Sequence, residues 1–468
     1  MATTTSKGIS KPQQYSINGI DLITALGTKI SFKPTEMELS IFEELYMPTF
    51  SGYVIVTDSA GFIENFNING FNFIRIAFSK STPDDKNEFD ITFRVYKIEA
   101  VNQQTRTNVQ YMIQFISEEL FLSNQKRIAR SYTNMTIRDM IENILYEELR
   151  STKLIDLDLT EGLYSMIVPN LTPFDAINWL ATYAKPSKND GGYVGADMFF
   201  YETRRGFHLR SLQSLYKQDI YAEYDFSPQN LYQPESAENM ERGLRSMLTC
   251  RIVKHFDTLE ASIGGLFANK FIGIDTLTKK KFITGFKYDD YIQGKLSAQG
   301  GKKPLTLNPY PLTAGFKNRF EKTVSEMTDA SVKLVITNTT QRDNPLIKGS
   351  KQAIQSVTPN IDAETRIPYR IAQFGLANYI KVEFSIAGDP MLRVGDIVKL
   401  NIPSLSVIKN KNAGNIDKYY SGKYMVAAVR HVLDIEGSYK CIVLAVTDSL
   451  SAPNLQFVQN EEIDKAKG

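Results

Sequence analysis

Between Arg366 and Leu450 the sequence changes its hydrophobic period, and that change constrains the fold more than any other stretch. Ile367-Pro368-Tyr369-Arg370-Ile371-Ala372-Gln373-Phe374-Gly375-Leu376-Ala377 reads as one helix. It runs directly into Ile380-Lys381-Val382-Glu383-Phe384-Ser385-Ile386, where apolar and polar residues alternate at the two-residue period of a half-buried strand. Asp389-Pro390-Met391-Leu392-Arg393-Val394-Gly395-Asp396 supplies turn chemistry at both ends before Ile397-Val398-Lys399-Leu400-Asn401-Ile402, the next strand. Tyr420 to Val426 and Lys440 to Val446 follow as two more. A helix followed by strands that build a barrel, with no reactive constellation among them, points to architecture as the function.

The N-terminal part repeats the strand signal. Residues 1–14 are rich in Thr, Ser and Lys and are expected to be flexible. From Tyr15 the pattern gives strands at Leu39–Leu45, Ser51–Asp58, Gly70–Phe78, Ile91–Tyr96 and Val109–Phe115, with a turn at Asp58 to Gly61 and a polar loop from Ser79 to Glu88. Such strands need a sandwich or barrel to cover one face. After Phe121 the composition changes. Thr136-Ile137-Arg138-Asp139 has the form of a capping box, and Ile137, Met140, Ile141, Ile144, Leu145 and Leu149 recur at helical spacing. A second helix starts with Thr172 as N-cap and Pro173 at its first position. Met198–Thr203 and Phe207–Leu212 then read as a hairpin around Arg204-Arg205-Gly206, and Asn269–Asp275 with Lys281–Phe286 as another. Long polar or Gly/Pro-rich loops are expected at 293–315 and 337–365, either as contacts to neighbouring subunits or as disordered excursions.

Composition closes several function classes. The formal net charge of +2, from 54 basic and 52 acidic residues, gives no global field towards nucleic acid or an anionic membrane. Cys250 and Cys441 are the only cysteines, so a disulfide scaffold or multi-cysteine zinc site is excluded and two buried thiols are expected. Met1 to Lys7 lacks a hydrophobic signal core, and no run approaches the roughly 18 apolar residues of a spanning helix. The 24 Tyr and 27 Phe weigh against an all-helical fold, because aromatics pack well on pleated surfaces.

A search for chemistry returns no catalytic, cofactor or metal site. His208, His255 and His431 are far apart, with no pair at the spacing of a helical zinc site. Adjacent carboxylates at Glu43-Glu44, Asp84-Asp85, Glu118-Glu119, Glu147-Glu148, Asp289-Asp290 and Glu461-Glu462 read mostly as solvated surface, since glycosidase chemistry needs carboxylates facing across a cleft. There is no G-x-S-x-G elbow, Walker A loop or G-x-G-x-x-G, and Lys279-Lys280-Lys281 reads as a solvated charge run in a turn. Trp179, beside Ile177 and Leu180 at helical spacing, reads as a core-packing residue rather than a stacking platform.

The C-terminal order of helix, strand, D-P-x-L-x-x-G-D turn, strand, S-G-x-Y-x-V strand, His and final strand resembles the baseplate hub proteins of contractile phage tails. Asp389, Pro390, Leu392, Gly395, Asp396, Ser421, Gly422, Tyr424, Val426 and His431 carry the match. The Thr172-Pro173-Phe174-Asp175 helix with Ile177, Trp179 and Leu180, followed by its aromatic hairpin, is similar to the small α/β domain of those hubs and of type VI secretion spike proteins. The resemblance implies a mainly β chain with an α+β insert: two tube-protein-like β-barrel domains plus a small helix-containing domain. The expected division is a flexible stretch at 1–14, a first barrel at 15–122, a small α+β domain at 123–215, a second barrel with long loops at 216–451 and a polar tail at 452–468.

It further implies a non-enzymatic homotrimer in the virion tail baseplate, synthesised in the host bacterial cytoplasm. Three chains would present six tube-like units to a sixfold tail tube or tube-initiator protein, and a threefold face to a central spike protein. Baseplate wedge proteins are further candidate neighbours, and phage DNA would pass through the enclosed channel without sequence-specific binding. Three alternatives stay open: a type VI-like spike hub, a carbohydrate- or receptor-binding tail module, and a tail lysin whose cleft residues are scattered in sequence. The polar tail Gln459–Gly468 favours a hub with a separate spike over the first of these. The matched motifs name no interface residues.

Overall fold

A computed structural model of the chain describes residues 15–24, 27–31, 37–58, 61, 70–79, 88–103, 109–187, 197–226, 242–276, 279–296, 302–312, 317, 319–337, 363–403, 416, 417, 419–434 and 438–452. The 1–14 stretch, the loop at 80–87, residues 338–362 and the tail beyond Ala452 lie outside the described residues. The protein is mostly β.

Seven strands open the chain: β1 (Ser16–Ile23), β2 (Lys29–Ser31), β3 (Met37–Glu44), β4 (Ser51–Asp58), β5 (Phe73–Ser79), β6 (Glu88–Gln103) and β7 (Val109–Ile116). They pair antiparallel in the order β2-β1-β5-β6-β7-β4-β3. Alternation decides which side is inside: along β4, Gly52, Val54, Val56 and Asp58 are buried while their neighbours are half-exposed. The expected turn after β4 is present, with the Gly61 N–H donating to Asp58 Oδ1 at 2.9 Å.

A small unit follows, built from α1 (Glu118–Asn124), β8 (Ser131–Met135), α2 (Ile137–Asn143), β9 (Leu154–Leu157), β10 (Tyr164–Ile167), α3 (Pro173–Ala181), β11 (Met198–Thr203), β12 (Gly206–Ser211) and α4 (Leu212–Tyr216). Both expected helix starts form as read. Thr136 accepts from the Asp139 N–H and Thr172 from the Asp175 N–H, each filling one orphan donor of a first turn. The α2 helix widens into a π turn over Ile144–Glu148, which the periodicity did not signal. Strands β11 and β12 form the expected hairpin, and β9 adds to it in parallel. This unit has its own core around Ile141, Ile177 and Phe207.

The second half supplies β13 (Ile220–Phe226), β14 (Ser246–Lys254), β19 (Ile380–Ala387), β20 (Ile397–Asn401), β21 (Gly422–Leu433) and β22 (Tyr439–Thr447). These close as β21-β20-β13-β14-β19-β22-β21, a six-stranded barrel with β13 parallel to both neighbours. Between β14 and β19 lie α5 (Thr258–Gly264), β15 (Ala268–Asp275), β16 (Lys281–Lys287), α6 (Tyr288–Ile292), β17 (Tyr310–Pro311), β18 (Val332–Thr337) and α7 (Ala363–Leu376), and the two-residue β23 (Ser449–Leu450) pairs with β17. The predicted 269–286 hairpin is β15 with β16, and β18 joins β15 in parallel. Helix α7 covers one face of that small sheet, where Asn269 donates to the Pro368 carbonyl and Phe286 meets Tyr369 edge-on at 5.4 Å.

The barrel and the seven-stranded sheet share a strand. Residues Gly422–Met425 of β21 pair with β20, while Ala428–Leu433 pair with β3, so one continuous sheet runs through both. At the other end of the first sheet, Tyr15 meets Tyr439 of β22 edge-on at 5.9 Å, and Phe78 of β5 meets the same ring at 5.2 Å. The first sheet therefore curls so that backbone hydrogen bonds fix one side to the β21–β22 hairpin and aromatic packing fixes the other. Both faces of Tyr424–Ala427 are buried in consequence, and the local sequence is a continuous apolar run rather than an alternation. Among the described residues no helix is long and apolar enough to cross a membrane.

Candidate functional site

The residues that bring the three parts together form a buried, charged junction. Its first half is the Asp389–Asp396 turn. Asp389 Oδ1 accepts from the Met391 N–H at 2.9 Å and its Oδ2 from the Tyr221 hydroxyl at 2.7 Å, while Asp396 Oδ2 accepts from the Arg393 N–H at 3.0 Å. Gly395 sits at φ +85°, a left-handed conformation, and a Cβ there would stand 2.9 Å from the Tyr201 hydroxyl. Its N–H donates to the Val426 carbonyl, and the Gly395 carbonyl accepts from Gln218 Nε2. The turn is thus held by the barrel, by β11 and by the segment after α4 at once.

Glu43, on β3, reaches into this turn and accepts from the Val394 N–H at 2.9 Å. It is 2% exposed. Burial, opposed by that hydrogen bond and reinforced by the Asp396 and Glu202 carboxylates, pushes its pKa up to about 8. Asp396 is likewise raised by burial, against the pull of Arg393. Reading Glu43 as solvated surface therefore fails, and β3 held the signal: Leu39, Ile41 and Glu43 share one face by period two, while Glu44 points out.

The second half centres on Glu202 of β11. Its Oε2 accepts from the Phe50 N–H at 3.1 Å and from the Ser117 hydroxyl at 2.6 Å, tying the small unit to the first sheet. Its Oε1 faces Lys153 Nζ at 2.6 Å, and the same ammonium lies 2.6 Å from Glu119 Oε2. Burial opposes the charge on Lys153, yet the two carboxylates hold its pKa above the ordinary lysine value. Glu119, also read as surface, is buried and accepts from the Ser151 hydroxyl at 2.9 Å. Helix α7 completes the junction. Arg366 donates to the Thr182 carbonyl at 2.6 Å, placing a guanidinium at the negative end of α3, and Phe374 packs on Phe199, which in turn meets Tyr46.

The singled-out residues scatter around this junction rather than form a reactive centre. His208 is buried against the Thr203 hydroxyl at 2.8 Å and beside Asp156, and burial pulls its pKa down to about 4. His431 is buried against Tyr439 and Cys441, and burial lowers it to about 4 as well. His255 lies against Tyr420 at the far end of the barrel. Cys441 is buried as expected, whereas Cys250 is half-buried. Trp179 packs edge-on to Tyr183 beside the small unit's core, and Lys279-Lys280-Lys281 is exposed. Asp84-Asp85 and Glu461-Glu462 lie outside the described residues. Among the described residues, no three His, Cys, Asp or Glu side chains converge to hold a metal ion. What the junction does chemically is fix three units in one orientation.

This architecture has known counterparts. A tail protein from Neisseria meningitidis MC58 is 10% identical with a TM-score of 0.51, over 93% of this chain and 97% of that one. The 43 kDa tail protein of prophage MuSo2 from Shewanella oneidensis is 9% identical with a TM-score of 0.52, over 92% and 98%. This chain has the tail-protein fold. No family model and no curated protein matches its sequence. The tail-protein fold is thus conveyed by pairing topology at about a tenth identity, as expected where packing tolerates wholesale apolar exchange.

The junction also makes a pH prediction. Glu43 holds its proton more tightly folded than unfolded, where a glutamate titrates near about 4.3. The stability tied to its protonated form is complete below that value and is lost as pH rises towards about 8. Glu43→Gln keeps an acceptor for Val394 without the charge. Its melting temperature is expected to lie closest to wild type at pH 4 and to exceed it by several degrees at pH 8.5. Asp197 and Asp448, each raised to about 6 by burial, contribute equally to both proteins; a gap that does not widen with pH would sink the assignment.

Proposed function

We propose that this chain is the structural hub of a phage tail baseplate, a trimeric adaptor between a sixfold tail tube and a threefold central spike. The observation that carries the reading is the continuous sheet joining a closed six-stranded barrel to a curled seven-stranded sheet through β21, in a chain that shares its fold over more than nine-tenths of its length with two tail proteins. Two tube-like units locked in one chain give six in a trimer. A rigid junction suits that task, because a hub that flexed between its units would lose register with the tube. The units proposed are 15–122, 123–215 and 216–451, with the first and last lining a channel for DNA and the small unit outside it. The role is architectural, the site of action is the virion tail, and tail-tube, spike and wedge proteins are the partners proposed.

The test is the mass of the purified chain by light scattering, alone and mixed with the spike-like product encoded beside it. A trimer in either sample is expected. A monomer that ignores the spike and binds glycans would instead make the chain a receptor-binding module.

A further inference from the structure

The small sheet of β16, β15 and β18 has one face under α7 and one turned outward. The register places Ile272, Ile274, Ile283, Val332, Leu334 and Ile336 together on the outward face. Leu334 is 63% exposed, and Ile283, Val332 and Ile336 are also exposed. The turn at Thr328–Ala330 crosses this face near Gly285 and Lys270, where Thr328 and Asp329 are the neighbouring side chains. The charged side chains in the same register are Lys270, Lys281 and Lys287, next to exposed Lys279 and Lys280. Asp329 brings a carboxylate to this rim, where it pairs with Lys270. An aliphatic surface of this kind, rimmed mainly by one sign of charge, is the mark of a protein interface rather than of free surface.

The chain carries a surface of the opposite sign on another unit. Glu44 at the end of β3 and Tyr46 and Met47 in the β3–β4 connection are exposed, Met47 by 52%. The Ser117 N–H donates to the Phe50 carbonyl, which brings the start of α1 to the end of that connection. On α1, Glu118 and Leu122 are exposed one turn apart on the same side.

We infer that in the assembled protein the lysine-rimmed β15–β16–β18 face of one copy docks on the Glu44, Met47, Glu118 and Leu122 surface of the next. The inference rests on the trimeric reading above. A contact between two different patches of the same chain is head-to-tail, and three such contacts close a ring. The patch supplies one zone of that interface, since a stable contact buries about 800 Å² per partner.

The test uses the full chain and its variants, with mass read by light scattering alone and with the spike. Lys281→Glu or Glu118→Lys singly is expected to weaken assembly at least tenfold, and Lys281→Glu with Glu118→Lys together to restore it. Separately, the Leu334→Cys/Leu122→Cys variant is expected to form disulfide-linked oligomers under mild oxidation. All are surface positions, so unchanged circular dichroism and melting temperature serve as the folding control. A trimer indifferent to both charge changes and without the cross-link would overturn this contact while leaving the trimeric hub standing. A wild-type monomer under every condition would overturn both. A monomer in which the thiol introduced at position 334 resists alkylation would replace the contact with an intramolecular cover.

Discussion

Replacing Lys153 with methionine is expected to destabilise the protein by about 3 kcal/mol near neutral pH, more than any other single side-chain change at the junction. The ammonium lies 2.6 Å from both Glu119 and Glu202, and no other cation pairs with either among the described residues. Removing one partner of a buried ionic group costs about 3–5 kcal/mol because the remaining charge is left uncompensated. The lower end applies here, since the Lys153 side chain keeps 27% of its surface in water. Methionine preserves most of the aliphatic stem and removes the ammonium, which also lies 5.4 Å from the Phe207 ring centroid, so the loss reports charge more than packing. The deficit should shrink as pH falls, because Glu202, already raised by burial, then takes up a proton and no longer needs the cation. Denaturant unfolding of both proteins at pH 7.5 and 5 measures this. Equal deficits at the two pH values would mean that the lysine acts as a spacer rather than as a counter-charge.

The contrast between what could and could not be read from sequence follows the range of the interactions. The starts of α2 and α3 were legible because a cap acts within three residues: Thr136 and Thr172 each find their N–H partner inside the same turn. The strands of the first sheet were legible because one face is buried and the other is wet, which leaves the alternation in place. The junction was not. Glu43 looks like one member of an exposed acidic pair until the strand phase is followed past Ile41, and Glu119, Lys153 and Glu202 come from α1, the loop before β9, and β11. Nothing local marks them as partners. The parallel neighbours of β13 were equally silent, since register between Ile220 and Ile397 is set by packing across more than a hundred residues. The shared strand was the costliest omission. The run Tyr420 to Val426 reads as a single barrel strand, yet the strand continues to Leu433 and its second half, still paired with β22, also pairs with β3 of the other sheet.

Gly388→Ala should test the aromatic side of that joint between the two sheets, with an expected loss of about 2–3 kcal/mol. A Cβ at position 388 would stand 2.0 Å from Tyr439 Cδ1 and 2.1 Å from Cγ. Those are atoms near the root of the ring, so no small rotation of its far end relieves the overlap, and the Gly388 N–H is bonded at 2.8 Å to the Tyr439 carbonyl, which pins the backbones together. The ring has little room to retreat. Tyr15 and Phe78 meet it from the first sheet, and its hydroxyl is 2.8 Å from His431 Nδ1. Strain at the entrance to the D-P-x-L-x-x-G-D turn is therefore transmitted to the side of the first sheet that is held by aromatic packing and the Tyr15 hydroxyl rather than by a backbone ladder. The expected signature is loss of amide exchange protection in β1 and β5 ahead of β3, which keeps its backbone ladder to β21. Tyr439→Leu should cost stability by itself through the lost ring contacts, but Gly388→Ala placed on that background should cost less than on wild type, a coupling of about 1 kcal/mol or more. Additive losses, or deprotection spread evenly over all seven strands, would mean that Tyr439 is not the clasp joining the two sheets.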